Sequence, residues 1–260
     1  MYSSKDKSCS AIILFILFPA LIIYQNVMHL RIPELMLGTS PFIGAGQFGM
    51  KAYEYRQQFF YNESNMKELF IKSACLEVKA VQLIVYEPLV RALKDAVKEI
   101  GEDFFVAATI PSGREFERDL NLIKPLKPEI IALHALVCDA LDPLIEGWIK
   151  QIRAMGASPA AATHYPGETI KEIDKAGFDF DAYLAPVNPV GYAMEPDYKS
   201  TLKALETTDK QVIAIKPLAA GSLKPTPSLF KFIYTYADSI SVGITSEAEM
   251  EETYSVAKNV

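Results

Sequence analysis

Val212-Ile213-Ala214-Ile215-Lys216-Pro217-Leu218-Ala219-Ala220-Gly221-Ser222 and, further on, Ser239-Ile240-Ser241-Val242-Gly243-Ile244-Thr245-Ser246 decide the fold. Each is a short, β-rich, apolar run that stops abruptly in Gly, Pro or Ser. A strand buried on both faces of a parallel sheet reads this way where it opens into a loop. Upstream the same pattern recurs at Glu34–Gly38, Ala80–Val85, Phe104–Thr109, Glu129–His134, Ser158–Thr163 and Asp181–Ala185. With Gln211–Ile215 and Ser239–Val242 that makes eight strands. Helical spacing fills several intervals. Asn62–Glu77 aligns Met66, Leu69, Phe70 and Ser73, and Pro88–Ile100 aligns Leu89, Leu93, Ala96, Val97 and Ile100. Leu141–Met155 and Ser246–Ala257 follow the same period, the last opened by the capping box Ser246-Glu247-Ala248-Glu249. Eight βα units without a composition break predict an α/β protein, a closed (β/α)8 TIM barrel over residues 33–260. An open doubly wound sheet would need fewer strands.

Composition agrees. The chain has 260 residues, 50% hydrophobic and 22% charged, and such a barrel takes about 250 residues as one domain. Net charge is −6, with no basic run of five or more, which excludes binding along a nucleic-acid backbone. The cysteines, Cys9, Cys75 and Cys138, have no CxxC spacing, so the sequence predicts reduced thiols and a cytoplasmic barrel.

Residues 1–32 form an apolar N-terminal extension. Lys5 and Lys7 precede the run Ala11–Tyr24, which Val27–Leu30 could lengthen. Three readings compete: a signal anchor in the membrane through residues 11–30, a surface or partner-binding tail, or a start at Met28 or Met36 that leaves the extension unmade. The sequence favours the last, because the barrel pattern begins directly after it; a native peptide containing Phe15 would rule it out.

One connection is long. Ser40–Tyr61 holds Pro41, three glycines and Phe48, Tyr53, Tyr55, Phe59, Phe60 and Tyr61. It reads as a lid or binding loop, as a connection carrying a short extra helix, or as an extra turn plugging the barrel mouth. Within it Gly44-Ala45-Gly46-Gln47-Phe48-Gly49 fits GxGxxG, but Pro41–Ile43 separate it from the strand and no acidic partner follows at the right distance, so it reads as loop glycines.

In this architecture the active site lies where strands end and helices begin. Those ends supply Thr39 and Ser40, Tyr86 and Glu87, Thr109 and Ser112, His134, His164 and Tyr165, Asn188, Lys216, and Gly243 with Thr245. Only three histidines exist, and two fall at strand ends. Imidazole is the usual proton donor or acceptor near neutrality, which makes His134 and His164 acid–base candidates. Lys216 closes an apolar strand, where partial desolvation favours the neutral amine and suits carbonyl or Schiff-base chemistry; neutralising a bound anion or pairing with Glu87 are its structural alternatives. Tyr86 and Glu87 complete the catalytic candidates. Gly221 and Ser222, and Gly243, Thr245 and Ser246, follow the last two strands, where barrels hold phosphate at a helix N-terminus. Lys224 could add charge there, while Glu247, Glu249, Glu251 and Glu252 would repel an anion. Nothing resembles a zinc hydrolase set, so no metal is expected.

From Leu35 to Val256 the sequence resembles the aldo-keto reductases. Leu37-Gly38-Thr39-Ser40 with Gly46-Gln47-Phe48-Gly49 is similar to the family's opening, and Leu133-His134 to the end of its fourth strand. Pro217-Leu218-Ala219-Ala220-Gly221-Ser222-Leu223 is similar to its cofactor loop, and Val242–Ser246 with Glu251-Glu252 to its final strand and helix. The resemblance implies an NADP or NAD cofactor held by Leu218, Gly221, Ser222, Gly243, Thr245 and Ser246, and a carbonyl substrate. The departures are in the chemistry. The family's Asp and Tyr after strand two and Lys after strand three have no counterparts in Leu83–Pro88 and Ala107–Thr109, Thr253 stands where an adenine-side Asn is expected, and only His134 matches. The expectation is therefore a small-molecule barrel enzyme, a reductase of a carbonyl metabolite by resemblance. A Schiff-base lyase or aldolase through Lys216, and a noncatalytic ligand-binding barrel, stand as alternatives.

Overall fold

The computed structural model describes residues 30–111 and 115–260; residues 1–29 of the apolar extension, Cys9 among them, and Ser112 lie outside them. Eight parallel strands close into a barrel in sequence order, each bonded to the next and β8 back to β1. They are β1 (Leu35–Gly38), β2 (Ala80–Ile84), β3 (Phe105–Ile110), β4 (Ile130–Leu133), β5 (Ser158–Ala162), β6 (Ala182–Pro186), β7 (Gln211–Ile215) and β8 (Ser239–Gly243). The seam pairs Leu35 with Ile240 and Gly38 with Gly243. Closure follows from the sequence: these strands are apolar on both faces, so an open edge would leave one of them wet.

The two faces carry different residues. Leu35, Leu37, Val81, Leu83, Val106, Ala108, Ile131, Leu133, Tyr183, Val212, Ala214, Ile240 and Val242 belong to the core packed against the helices. The alternate positions face the barrel interior. Many are small: Ala80, Ala107, Ala132, Ala160, Ala162, Ala182, Ser239 and Ser241. Short side chains cannot fill the barrel to its mouth, so the upper interior stays open.

The outer helices are α2 (Glu63–Cys75), α3 (Glu87–Ile100), α4 (Phe116–Ile123), α6 (Ile145–Ala154), α7 (Pro166–Ala176), α8 (Tyr198–Thr207), α9 (Pro227–Tyr234) and α10 (Glu247–Ala257). Two short helices lie at the mouth, α1 (Lys51–Tyr55) and α5 (Ala135–Cys138). The four helices expected from periodicity are present within a few residues. α4, α7, α8 and α9 were not marked by it. α7 and α9 open on proline, which the sequence presents as a breaker but which suits the first helical position, where no amide partner is needed. Among the described residues no helix is long and apolar enough to cross a membrane.

The long first connection is neither a bare loop nor a single extra turn. Pro41–Ile43 and Gly46–Phe48 form 3-10 turns, and α1 runs into a π-helical turn, Arg56–Phe60. Phe42 and Phe59 are fully buried, their rings 4.8 Å apart, and Phe42 also meets Phe70 at 5.7 Å. Gly44 has φ +60, and a Cβ there would lie 2.2 Å from the Ala52 carbonyl oxygen. Only glycine permits this turn.

Candidate active site

A cavity of about 840 Å3 opens at the C-terminal ends of the strands. Gln82, Ile84, Thr109, Ala162, Leu184, Ile215 and Ser241 line it from the strands, and Ser40, Gln47, Phe48, Lys51 and Tyr55 from the long connection. Tyr192, in the loop after β6, hydrogen-bonds through its hydroxyl to the Gln47 carbonyl at 3.3 Å, joining loops from two distant strands across the mouth.

His134, His164 and Lys216 all line this cavity. His134 continues the inward register of Ile130 and Ala132, and His164 that of Ala160 and Ala162. Their rings meet edge to face with centroids 5.4 Å apart. His134 is the N-cap of α5, its Nδ1 accepting from the Leu136 amide at 3.1 Å. A neutral imidazole that accepts at Nδ1 carries its proton on Nε2, leaving a donor for a ligand. Burial, then the neighbouring His164 and Lys216, lowers its pKa to about 4, with Asp139 opposing. His164 is also lowered, by partial desolvation of its ring and by Lys216, again against Asp139.

Lys216 reaches the cavity by a different route. Ile215 already faces inward, so a regular strand would turn the next side chain toward the helices. Lys216 has φ +55. This left-handed conformation, costly for a side-chain-bearing residue, breaks the alternation, so that both Ile215 and Lys216 line the cavity. Burial lowers the pKa of the amine, and Asp139 partly restores it.

Asp139 was not singled out from the sequence. One carboxylate oxygen accepts from the Thr163 hydroxyl at 2.6 Å and the Thr169 hydroxyl at 2.8 Å, and the other accepts from the His164 amide at 3.0 Å. It lies at the end of a one-turn helix, and no local pattern marks it. Gln82 does carry a local signal: it is the one polar residue within the apolar run Ala80–Val85.

The remaining candidates divide. Leu218, Gly221, Gly243, Thr245 and Tyr165 line the cavity; Tyr86, Glu87, Ser222 and Ser246 do not. Tyr86 precedes α3 and packs edge-on against Phe60 at 5.8 Å. Glu87 pairs with Arg91 one turn along the same helix at 2.7 Å, not with Lys216. Asn188 is fully buried and structural: its amide group bonds both backbone groups of Tyr192 and the Lys216 carbonyl. The GxGxxG segment is not bare loop: Gly46–Phe48 is a 3-10 turn and α1 begins at Lys51 just after it, while Pro41–Ile43 separate it from β1. The capping box forms on one arm, Ser246 Oγ accepting from the Glu249 amide at 3.2 Å. The other arm reaches one residue further back, where Glu249 Oε2 accepts from the Thr245 amide at 2.7 Å and its hydroxyl at 2.8 Å. Among the described residues no cluster of His, Cys, Asp and Glu could hold a metal ion.

No protein-family model matches the sequence, and no curated protein matches it. Solved structures do resemble it. The holo form of an aldo-keto reductase from Bacillus halodurans superposes with a TM-score of 0.63 at 13% identity, covering 87% of each chain. The fold is aldo-keto-reductase-like. A thermostable aldo-keto reductase solved with the inhibitor epalrestat gives 0.58 at 14% identity, over 88% of this chain and 90% of the other. A 3-hexulose-6-phosphate synthase gives 0.50 at 14% identity, over 74% and 93%. At such identities the likeness is one of architecture. The aldo-keto-reductase-like architecture leaves the chemistry to be argued from the residues lining the cavity.

Proposed function

We propose that this barrel is an enzyme acting on a small carbonyl compound by a Schiff base at Lys216. The observation that carries the reading is the aim of Lys216: a left-handed backbone turns its amine into a cavity shared with two imidazoles. The neutral amine attacks the carbonyl carbon, and the proton it sheds passes to the oxygen to give a carbinolamine. A second proton, taken from solvent, lets the hydroxyl leave as water and forms the iminium. His134, neutral and donating from Nε2, hydrogen-bonds the carbonyl oxygen; His164 relays the proton to the departing hydroxyl. Asp139 holds the His164 backbone and keeps negative charge beside the three basic groups.

A nicotinamide-dependent reductase is the second reading. The fold favours it, as do Leu218, Gly221, Gly243 and Thr245 at the cavity wall. It stands second because the seat after β8 does not fit a nucleotide phosphate: the Thr245 amide and hydroxyl already serve the Glu249 carboxylate. Further acid in the first turn of α10 repels a second anion.

Borohydride added with a panel of small aldehydes and ketones, followed by peptide mass mapping, tests the first reading. A reduced adduct on Lys216, lost in Lys216→Met, supports it. Absence of any adduct, together with a thermal shift by NADP(H) or NAD(H), would transfer the assignment to the reductase.

A further inference from the structure

The bottom of the cavity carries polar groups that the steps above do not use. Gln82 on β2 and Thr109 on β3 are 5% and 4% exposed, and both line the cavity. Gln82 Nε2 donates to Thr109 Oγ1 at 2.9 Å. That bond consumes an acceptor site on Thr109 and leaves its hydroxyl proton to point elsewhere. Among the described residues no acceptor takes that proton and no donor meets Gln82 Oε1. The count survives rotation of the Gln82 amide: Oε1 would accept the Thr109 proton, leaving Nε2–H as donor and Thr109 Oγ1 as acceptor. Either way the pair leaves at least one donor and one acceptor free on adjacent strands, the second N–H of the amide being a further donor. Two polar side chains this deep are costly unless something completes their bonds.

The pair is also held in place. The Thr39 hydroxyl donates to the Gln82 carbonyl at 3.1 Å and accepts from the Ile84 amide at 2.9 Å, so β1 braces the stretch of β2 that carries Gln82. The residues paired with Gln82 and Thr109 on the neighbouring strands, Gly38, Ala107 and Ala132, carry no polar side chain, and Ser241 on β8 is a further hydroxyl in the cavity lining.

We infer that Gln82 and Thr109 form a hydroxyl-recognition subsite, so that the carbonyl compound taken by this barrel carries a hydroxyl group. A hydroxyl is the group that both donates and accepts at one atom, matching the pair. The inference rests on the proposed carbonyl chemistry for the carbonyl half of the ligand, and on the floor of the cavity for the hydroxyl half.

The test separates the two halves. In full-length Lys216→Met, which cannot form the adduct, binding of dihydroxyacetone and acetone is compared by ligand-detected NMR. Dihydroxyacetone should bind on the order of tenfold more tightly, the worth of one well-made buried hydrogen bond. Adding Thr109→Val should remove that preference, and Thr109→Ser, which keeps the hydroxyl, should retain it. If Thr109→Val does not fold, Gln82→Met in the same background carries the test. Equal binding of the two probes, or a preference that survives Thr109→Val or Gln82→Met, overturns the inference. Failure of borohydride trapping in the parent chain, with the preference intact in Lys216→Met, removes the Schiff base and leaves the hydroxyl subsite standing.

Discussion

Acidification should weaken this protein through His134. The ring takes its proton near 6.5 in an unfolded chain but only at about 4 when folded, because burial and two basic neighbours oppose the charge. Between those values the unfolded state binds the extra proton, so stability falls as pH falls. At about 1.36 kcal/mol per pH unit, the loss through this one group is about 2 kcal/mol between pH 7.5 and 5, and about 3 kcal/mol once pH passes below 4. His164 is shifted in the same direction and adds to the trend. His134→Asn isolates the first contribution. Asparagine keeps an N-cap acceptor for the Leu136 amide and has nothing to protonate. Urea denaturation at pH 7.5 and pH 5 should show the parent losing about 2 kcal/mol more than the variant across that interval. NMR titration of the ring protons should place His134 well below a free imidazole. A His134 that titrates near 6.5, or a variant that loses as much stability as the parent, would refute the packing and charge arrangement described for the site.

Phe42→Ala should cost about 3–5 kcal/mol in urea denaturation, because Phe42 is fully buried against Phe59 and Phe70. Gly243→Ala should cost about 1–3 kcal/mol by overpacking, since the new Cβ would meet Pro41 Cγ at 2.9 Å and Cδ at 3.0 Å; a thermal melt reads it. Asp139→Asn should move the Lys216 amine to a lower pKa, since Asp139 is what raises it. The midpoint of Lys216 acylation against pH, followed by mass mapping, should fall; an unchanged midpoint would remove Asp139 from the site. Ser246→Ala should cost about 1 kcal/mol by stripping the N-cap of α10, measured the same way as Phe42→Ala.

The sequence by itself determined the barrel. Its eight apolar runs, all but one closed within two residues by Gly, Pro or His, mark buried strands, and such strands leave few arrangements open when helical stretches alternate with them. It also put His134 and His164 on the rim, because the inward register of β4 and β5 carries straight through to both. Short-range pattern reaches only as far as one element. Tyr86 and Glu87 sit at a strand end just as His134 does, yet the chain turns at Ile84–Tyr86, where the Tyr86 amide bonds the Ile84 carbonyl at 2.9 Å, and Glu87 is taken by Arg91 on its own helix. Lys216 would face the helices in a regular strand, and only a left-handed residue at the end of β7 turns it inward. Asp139 joins the site because α5 brings it against the end of β5 and the first turn of α7, and Glu249 fills the seat after β8, where it bonds Thr245. Those outcomes depend on backbone turns and on contacts between elements far apart in the chain, and neither is written in local periodicity.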